Sequence, residues 1–362
     1  MHAITFTCEI ITPMFIAGTD SFTPELRAPS IKGALRFWWR AMHGDMAVAA
    51  LKLEESRIFG GGGDHGMRSN VVIAVNHRHV DIQRNEQIGI GQQSGIGYLL
   101  YSSMFMQKRD CIRPGSRFTI SFSSYSLESL ETTVKAFACL VYFGGLGSRS
   151  RRGGGSLFVE AWDGTAKEHL ENVLKVFNTT GIDTSEKLKV HIENHIRPFL
   201  GSSPAIGSYS ALNGASLYVL KPKTDWKKAL EEIGLKFKTV RNRIQSDIGG
   251  TPNFGIPIRH KSGLMMIAGI TYQDRNSEWK AKESSDRRAS PLIIKLIKTN
   301  DQCFFPIALH LQGELLKDSV KIVDKKAADW SKDGRIYREM TADDSYIKTN
   351  FLDTLKELPT TL

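Results

Sequence analysis

The segment GGLGSRSRRGGGS, residues 144–156, combines the two residue types best suited to hold a phosphate group. Glycines let a backbone approach an anion closely, and the guanidinium groups of Arg149, Arg151 and Arg152 can make paired contacts with phosphate oxygens. A strand pattern follows the glycines, whereas a dinucleotide fingerprint needs a helix there, and the segment lacks the GK pair of a Walker loop. The segment is therefore predicted to contact a nucleic-acid backbone; the alternative is a flexible, solvated loop.

A second cationic cluster lies in IKGALRFWWRAMHG, residues 31–44, whose apolar spacing predicts a helix. Helical geometry places Lys32, Arg36, Trp39 and Arg40 on a face opposite the apolar stripe. Cations beside an indole that can stack on a base are typical of a surface that binds single-stranded RNA. The alternative is that Trp39 is a second core residue and the cations form a solvated face.

A third cationic group occurs in FGIPIRHKSG and DRRASP of the second half. Arg259, His260, Arg287 and Arg288 stand beside predicted strands and could extend an RNA track. They could equally be isolated surface charges.

Metal-dependent chemistry is poorly supported by the histidines. His77 and His79 alternate on one strand, but no cysteine or carboxylate falls at a spacing typical of zinc sites. HIENH at 191–195 places two histidines four residues apart, yet Ile192 occupies the position where a zincin carries glutamate. We expect no metal and no cofactor.

A metal-independent ribonuclease remains an alternative. It would require a general base and a general acid, such as His43 with a tyrosine or lysine near the glycine loop.

The composition favours a polyanionic partner. The chain has 362 residues, with 48 Lys and Arg against 38 Asp and Glu, which gives a net charge of +10 and a pI of about 9.3. The four cysteines are far apart and are predicted to be reduced core thiols. No apolar run approaches the roughly 20 residues that span a bilayer, and the N-terminus lacks a basic leader. These features predict a cytoplasmic protein without membrane contact.

The elements that must position these residues form a recognisable order. A strand in 4–16 precedes the helix at 31–44, which Ser30 is predicted to cap. Strands are predicted at VVIAVNHRHV, GYLLYSSMF and RFTISFSSY, then a helix that begins after Ser126, the glycine loop, and the strand SLFVEAW. This order matches a ferredoxin-like (RRM-like) βαββαβ unit.

The second half repeats the order. A helical insertion or linker is predicted at 166–215, between an N-terminal domain at 1–165 and a C-terminal domain at 216–362. ASLYVLK, LMMIAGITY, SPLIIKLIK and FFPIALHLQG are predicted strands, and the helix starts at TDWKKAL. The fold class is therefore predicted to be α+β, with two ferredoxin-like domains.

TPELRAPSIKGALRFWWRA and GGLGSRSRRGGGSL resemble the signature of the RAMP superfamily, specifically the largest RAMP subunit of the type III-B CRISPR (Cmr) effector complex. The similarity covers roughly the first 160 residues. It implies two ferredoxin-like domains and a loop that contacts RNA. The implied RNA contacts are Gly145, Gly147, Arg149, Arg151, Arg152 and Gly153, together with Lys32, Arg36 and Arg40.

The resemblance also implies a role in antiviral defence. It indicates a non-catalytic subunit that holds the 3′ region of the guide RNA and part of the target RNA, beside other Cmr subunits, while another subunit cleaves. Two alternatives stay open: a metal-independent RAMP-type endoribonuclease that processes guide RNA, and a scaffold whose basic face meets an acidic protein.

Overall fold

The computed structural model of this chain describes residues 1–18, 20, 22–62, 66–77, 80–201, 203, 205, 209–244, 251–255, 258–259, 264–273, 279–283, 289–313, 320–324, 334–340 and 344–362. The described strands are β1 (His2–Ile10), β2 (Val71–Asn76), β3 (Ile82–Gln83), β4 (Cys111–Ile112), β5 (Arg117–Ser124), β6 (Leu157–Asp163), β7 (Ala211–Val219), β8 (Ile258–Arg259), β9 (Leu264–Gln273), β10 (Trp279–Glu283), β11 (Leu292–Lys298), β12 (Phe304–Gln312), β13 (Val320–Asp324), β14 (Gly334–Met340) and β15 (Thr360–Thr361). The described α-helices are α1 (Ala28–Met42), α2 (Val48–Phe59), α3 (Gly95–Leu99), α4 (Leu127–Phe143), α5 (Glu171–Leu174), α6 (Ser185–His195), α7 (Trp226–Arg243) and α8 (Asp344–Asn350).

The first sheet is antiparallel, with the strand order β2-β5-β1-β6. Alternate residues of β1 are buried, because successive side chains of a strand point to opposite faces. The helix α1 follows β1, the helix α4 joins β5 to β6, and the two helices pack against each other. Along the chain, β1, α1, β2, β5, α4 and β6 follow the strand–helix–strand–strand–helix–strand order predicted for the first half, with α2 and α3 as additional helices.

The second sheet is also antiparallel, with the order β11-β12-β7-β15. Every residue of β11 is buried, since the sheet has a core on each face. Ile293 and Ile297 join the core that contains α1 and α4, whereas Leu292 and Ile294 join the core that contains α7. The molecule is therefore layered as sheet, helices, sheet, helices.

A third sheet has the order β10-β14-β13-β9-β8. It contains LMMIAGITY as β9, so the prediction that this segment joins the second sheet was wrong. The strand that completes the second sheet is instead the short β15 at the chain's last residues.

GYLLYSSMF was also predicted wrongly. Its residues form the end of α3 and a π-helical turn, Ser102–Met106, rather than a strand. Short apolar runs fit a strand and a buried helix equally well by pattern, and here packing against α7 decides the outcome.

Two helix caps were predicted. The hydroxyl of Ser126 accepts a hydrogen bond from the amide of Ser129 (3.1 Å), which confirms the cap of α4. Ser30 does not cap α1, because the helix already begins at Ala28 with Pro29 in its first turn.

The predicted α+β class is confirmed as two four-stranded antiparallel sheets with helices. In the segment 166–215, α5 and α6 pack into the first core through Val173 and Ile192, and β7 begins at Ala211. All four cysteines are free thiols, three of them buried. Within the described residues, no helix is both long enough and apolar enough to cross a membrane.

Candidate nucleic-acid interface

The glycine loop between α4 and β6 is tightly folded. Gly147, Gly153 and Gly155 have positive φ angles (87°, 83° and 62°), which glycine adopts without strain. A Cβ on Gly147 would lie 2.5 Å from the carbonyl oxygen of Phe15, and one on Gly153 would lie 2.5 Å from Leu230 Cδ1. The glycines therefore let the loop pack against the end of the first strand and against α7, and Gly153 is buried there.

The three loop arginines bind backbone carbonyls of other segments. Arg149 Nε donates to Leu99 O (2.7 Å), at the end of α3. Arg151 Nη1 donates to Ser290 O (2.7 Å), and Arg152 Nη1 donates to Leu292 O (2.6 Å). The loop thus ties the first half of the chain to the start of β11.

These guanidinium groups remain charged in spite of their partial burial. Desolvation lowers the pKa of Arg151 to about 10. Desolvation, followed by the positive charges of Arg149, Arg241 and Arg151, lowers the pKa of Arg152 to about 9. Both values lie above neutral pH, so the cluster holds several mutually repelling positive charges that favour a bound anion.

An open cleft of about 830 Å³ lies beside these arginines. Its lining residues are Gln92, Gln93, Tyr98, Tyr101, Ser102, Arg149, Ser150, Arg151, Arg152, Phe237, Lys238, Arg241, Asn242, Phe254, Gly255, Ala289 and Ser290. This basic cleft has five cationic residues and, among its described lining residues, no aspartate or glutamate. It can therefore accept a chain of phosphate groups.

Lys238 and Arg241 reach the basic cleft from α7. The Arg241 guanidinium lies over the ring of Phe254 (4.8 Å to the ring centre). Its Nη1 atom is buried and has no hydrogen-bond partner among the described residues. An unsatisfied buried donor is costly, so this atom would gain from a hydrogen-bond acceptor that entered the cleft.

A close helix crossing holds the walls of the basic cleft together. α3 and α7 meet at Gly95 and Gly234, where a Cβ on Gly234 would lie 2.5 Å from Gly95 C. The carboxylate of Glu231 accepts hydrogen bonds from the amides of Gly95 (2.7 Å) and Ile96 (3.0 Å). Lys238 Nζ donates to Gln93 O (2.5 Å).

A smaller cavity of about 440 Å³ also borders the glycine loop. Gly145, Gly147 and Ser148 line it, together with Ser30 of α1 and Arg109. The two predicted glycine positions at 145 and 147 are half-buried here, so their backbone is accessible to a ligand.

The predicted basic face of α1 does not border either cavity. Arg36 Nε donates to Glu55 Oε1 (2.5 Å), and Arg40 Nη1 binds the same oxygen. Trp39 is 2 % exposed, so its predicted placement on an exposed face was wrong. Lys32 is half-buried, and burial lowers its pKa.

The third cationic group lies largely outside the described residues. His260, Arg287 and Arg288 are not described, and Arg259 is described only as backbone in β8. Their predicted RNA contacts stay predictions.

His43, at the C-terminal end of α1, lines neither the basic cleft nor the smaller cavity beside the glycine loop. Ser30, in the first turn, lines the cavity beside the loop, and 13 residues of helix separate it from His43, a rise of about 20 Å. Nδ1 of His43 donates to Trp39 O (2.7 Å). In the described part of the chain, no group of three His, Cys, Asp or Glu side chains is arranged to hold a metal ion.

Sequence analysis predicted only the three loop arginines of the basic cleft and missed, among others, its two tyrosines and two further cations, Tyr98, Tyr101, Lys238 and Arg241. Lys238 and Arg241 are three apart in KFKTVRNR, so they share a helix face, and that spacing was a usable signal. The two tyrosines had no such signal, because their segment was predicted to be a strand.

Comparisons with known proteins agree with this architecture. Residues 7–159 match the model of the RAMP superfamily. The chain is 28% identical over 247 residues to the CRISPR system Cmr subunit Cmr1-1 of Pyrococcus furiosus, covering 64% of this chain and 71% of that protein. It is 28% identical over 185 residues to Cmr1-2 of the same organism, covering 44% of this chain and 96% of that protein.

Two solved structures share the fold. The crystal structure of apo Cmr1 from Pyrococcus furiosus is similar with a TM-score of 0.62 and 22% identity, over 100% of this chain and 98% of that chain. A chain in the cryo-EM structure of the type III-B Cmr-β complex bound to cognate target RNA has a TM-score of 0.61 and 13% identity, over 98% and 99% of the two chains.

Proposed function

The chain is a RAMP superfamily protein homologous to Cmr1 of the type III-B CRISPR Cmr complex, and from this premise we propose that it binds RNA as a Cmr1-like subunit of such an effector complex. The observation that carries the proposal is the basic cleft, whose five cations have no described carboxylate among the lining residues. Phosphates are the ligands that such a surface attracts most strongly.

In finer terms, the subunit holds the 3′ region of the guide RNA and the target RNA during antiviral defence, in contact with other Cmr subunits. Its binding is largely independent of sequence, because cations and backbone donors read phosphates rather than base edges. We propose that two ferredoxin-like units form the frame that carries the cleft, and the strand orders β2-β5-β1-β6 and β11-β12-β7-β15 of the two four-stranded sheets support this.

The proposal includes binding without cleavage. The histidine that a metal-independent ribonuclease would use, His43, lines neither the basic cleft nor the smaller cavity beside the glycine loop. A general base must be within hydrogen-bond reach of the hydroxyl that it deprotonates.

The experiment is a salt series of RNA binding with the variant Lys238→Ala/Arg241→Ala. These two side chains are better test positions than Arg151 and Arg152, whose guanidinium groups hold backbone carbonyls of the second half. Among the described residues, Lys238 binds only the exposed Gln93, at the edge of the cleft itself. We expect the affinity for single-stranded RNA to fall at least tenfold, and the slope of log K against log salt to decrease by about 1.4, from about 0.7 per lost phosphate contact.

The matched control is Lys52→Ala/Arg57→Ala, which removes the same charge from the exposed face of α2. If the cleft variant had the same RNA affinity and the same salt slope as this control variant, RNA binding in the cleft would be contradicted. Intact RNA after incubation in EDTA supports the non-catalytic part, and specific cleavage that depends on His43 would contradict it.

A further inference from the structure

Tyr101 is an exposed aromatic side chain within the basic cleft. It is 39% exposed and lines the cleft together with Arg152, Lys238 and Arg241. A single exposed aromatic ring is common on protein surfaces, but this one shares its cleft with five cationic residues. The cleft therefore offers both a phosphate track and a flat apolar surface.

The position of Tyr101 is fixed by contacts on both sides of its segment. Arg149, from the glycine loop, binds the carbonyl oxygen of Leu99, two residues before Tyr101. The hydroxyls of Ser103 and Ser148 share a hydrogen bond of 2.9 Å. The ring of Phe105 lies 5.8 Å from that of Tyr101, centre to centre, and supports it from within the π-helical turn. The aromatic ring is thus held at a set place relative to the loop cations.

Resting on the proposed function, we infer that Tyr101 stacks on an unpaired base, so that the basic cleft binds single-stranded RNA in preference to a base-paired duplex. Base stacking on aromatic rings is the common way in which proteins hold single-stranded RNA. In a duplex the bases are already stacked and paired, and only the phosphates remain available to the cations.

Two exposed amides at the rim extend this inference. Gln92 and Asn242 line the same cleft and are exposed. Each side-chain amide has N–H donors and a carbonyl acceptor that can form hydrogen bonds with the edge of a base. In an unpaired strand that edge is free to form these bonds.

The test compares binding of one labelled RNA without self-complementarity, free and annealed to its complement, to the full chain and its variants. For Tyr101→Ala we expect a loss of about tenfold or more in affinity for the single strand. We expect little change for the duplex and an unchanged salt slope, because no phosphate contact is lost. Tyr101→Phe and Tyr101→Trp retain the ring and should bind the single strand as the natural chain does.

The matched control is Tyr125→Ala, which removes a tyrosine that is 86% exposed and does not line the cleft. Thermal unfolding of each variant shows whether it is folded, and the two ring-retaining variants keep the test informative if Tyr101→Ala is destabilised. Equal losses on both RNAs, or no loss on either, would overturn the inference.

The variant Lys238→Ala/Arg241→Ala separates this inference from the proposed function. Weaker binding of both RNAs in that variant, with unchanged binding in Tyr101→Ala, would leave the RNA-binding proposal standing and remove only the stacking role. A natural chain that binds neither RNA would overturn both.

Discussion

Glu55 of α2 is a buried carboxylate whose partners are two arginines on the outer face of α1. Its side chain is 5% exposed, whereas those of Arg36 and Arg40 are 35% and 37% exposed. A buried carboxylate without a partner is strongly destabilising, so these arginines stabilise the packing of α1 against α2. The single carboxylate offsets one of the two positive charges, so this face is less cationic than the basic cleft.

We predict that Arg36→Ala/Arg40→Ala lowers the free energy of unfolding by about 3 kcal/mol, the lower end of the range for a broken buried pair, because the arginines are partly exposed. Adding Glu55→Leu removes the stranded carboxylate and should restore most of that loss. Chemical denaturation measures both effects. The restored triple variant should bind RNA nearly as the natural chain does; a large loss of affinity at restored stability would instead assign RNA binding to this face of α1.

At this scale the sequence predicted where the loop arginines stand in the chain but not where their side chains point. The glycines of GGLGSRSRRGGGS predict that the loop backbone lies close to another group. In the structure these groups belong to the protein itself, such as the carbonyl oxygen of Phe15 beside Gly147. Trp39 was misplaced for a related reason. A helical wheel shows which residues share a face of α1, but it does not show whether that face meets solvent or a second sheet. Both outcomes depend on contacts between residues distant in sequence.

The helix pair α3 and α7 sets the shape of the basic cleft, because one helix leads to Tyr101 and the other carries Lys238 and Arg241. The crossing requires glycine on both sides, at Gly95 and Gly234. A methyl group there must push the helices apart, although alanine has the higher intrinsic helix propensity.

We predict that Gly234→Ala lowers the free energy of unfolding by about 1–3 kcal/mol, the usual cost of overpacking, and weakens binding of single-stranded RNA. Gly33→Ala is the matched control, since Gly33 is also within a helix but a Cβ there meets nothing within 4 Å. That variant should raise the free energy of unfolding by up to about 1 kcal/mol and leave RNA affinity unchanged. Equal stability changes in the two variants would contradict the close crossing.

The strands of the first sheet were predictable because apolar and polar residues alternate along them, as in ITFTCEI. β11 lacks such alternation, since LIIKLIK faces a core on each side and even Lys295 is buried. A continuous apolar run therefore predicted a strand but could not predict its neighbours. β9 was assigned to the second sheet for the same reason, although it pairs with β8, β10 and β13 of the third sheet.

At the scale of the whole molecule, the two halves repeat one strand order, yet they do not form separate cores. α1 and α4 are covered by the first sheet on one side and by Leu217, Ile297 and Phe305 of the second sheet on the other. Lys295 donates to the carbonyl oxygens of Leu140 and Val141 at the end of α4, so an amine of the second half satisfies a helix end of the first. Burial lowers the pKa of this amine well below its ordinary value.

Polar contacts reinforce the same junction. Lys298 Nζ lies 2.6 Å from Glu9 Oε2, and the amide of Ile294 donates to Arg151 O (3.1 Å). The glycine loop is part of this junction through Arg152, so the geometry of the basic cleft depends on both halves being folded together.

We therefore predict that both four-stranded sheets unfold in a single transition, even though chains of this length usually divide into independent domains. Calorimetric and van't Hoff enthalpies of the full chain should agree for that transition. A fragment covering residues 1–200 should fail to fold, because α1 and α4 would expose the apolar surface that the second sheet covers. Two separated transitions, one of them reproduced by the fragment alone, would show instead that each half folds independently and that the basic cleft is assembled only when the folded halves dock.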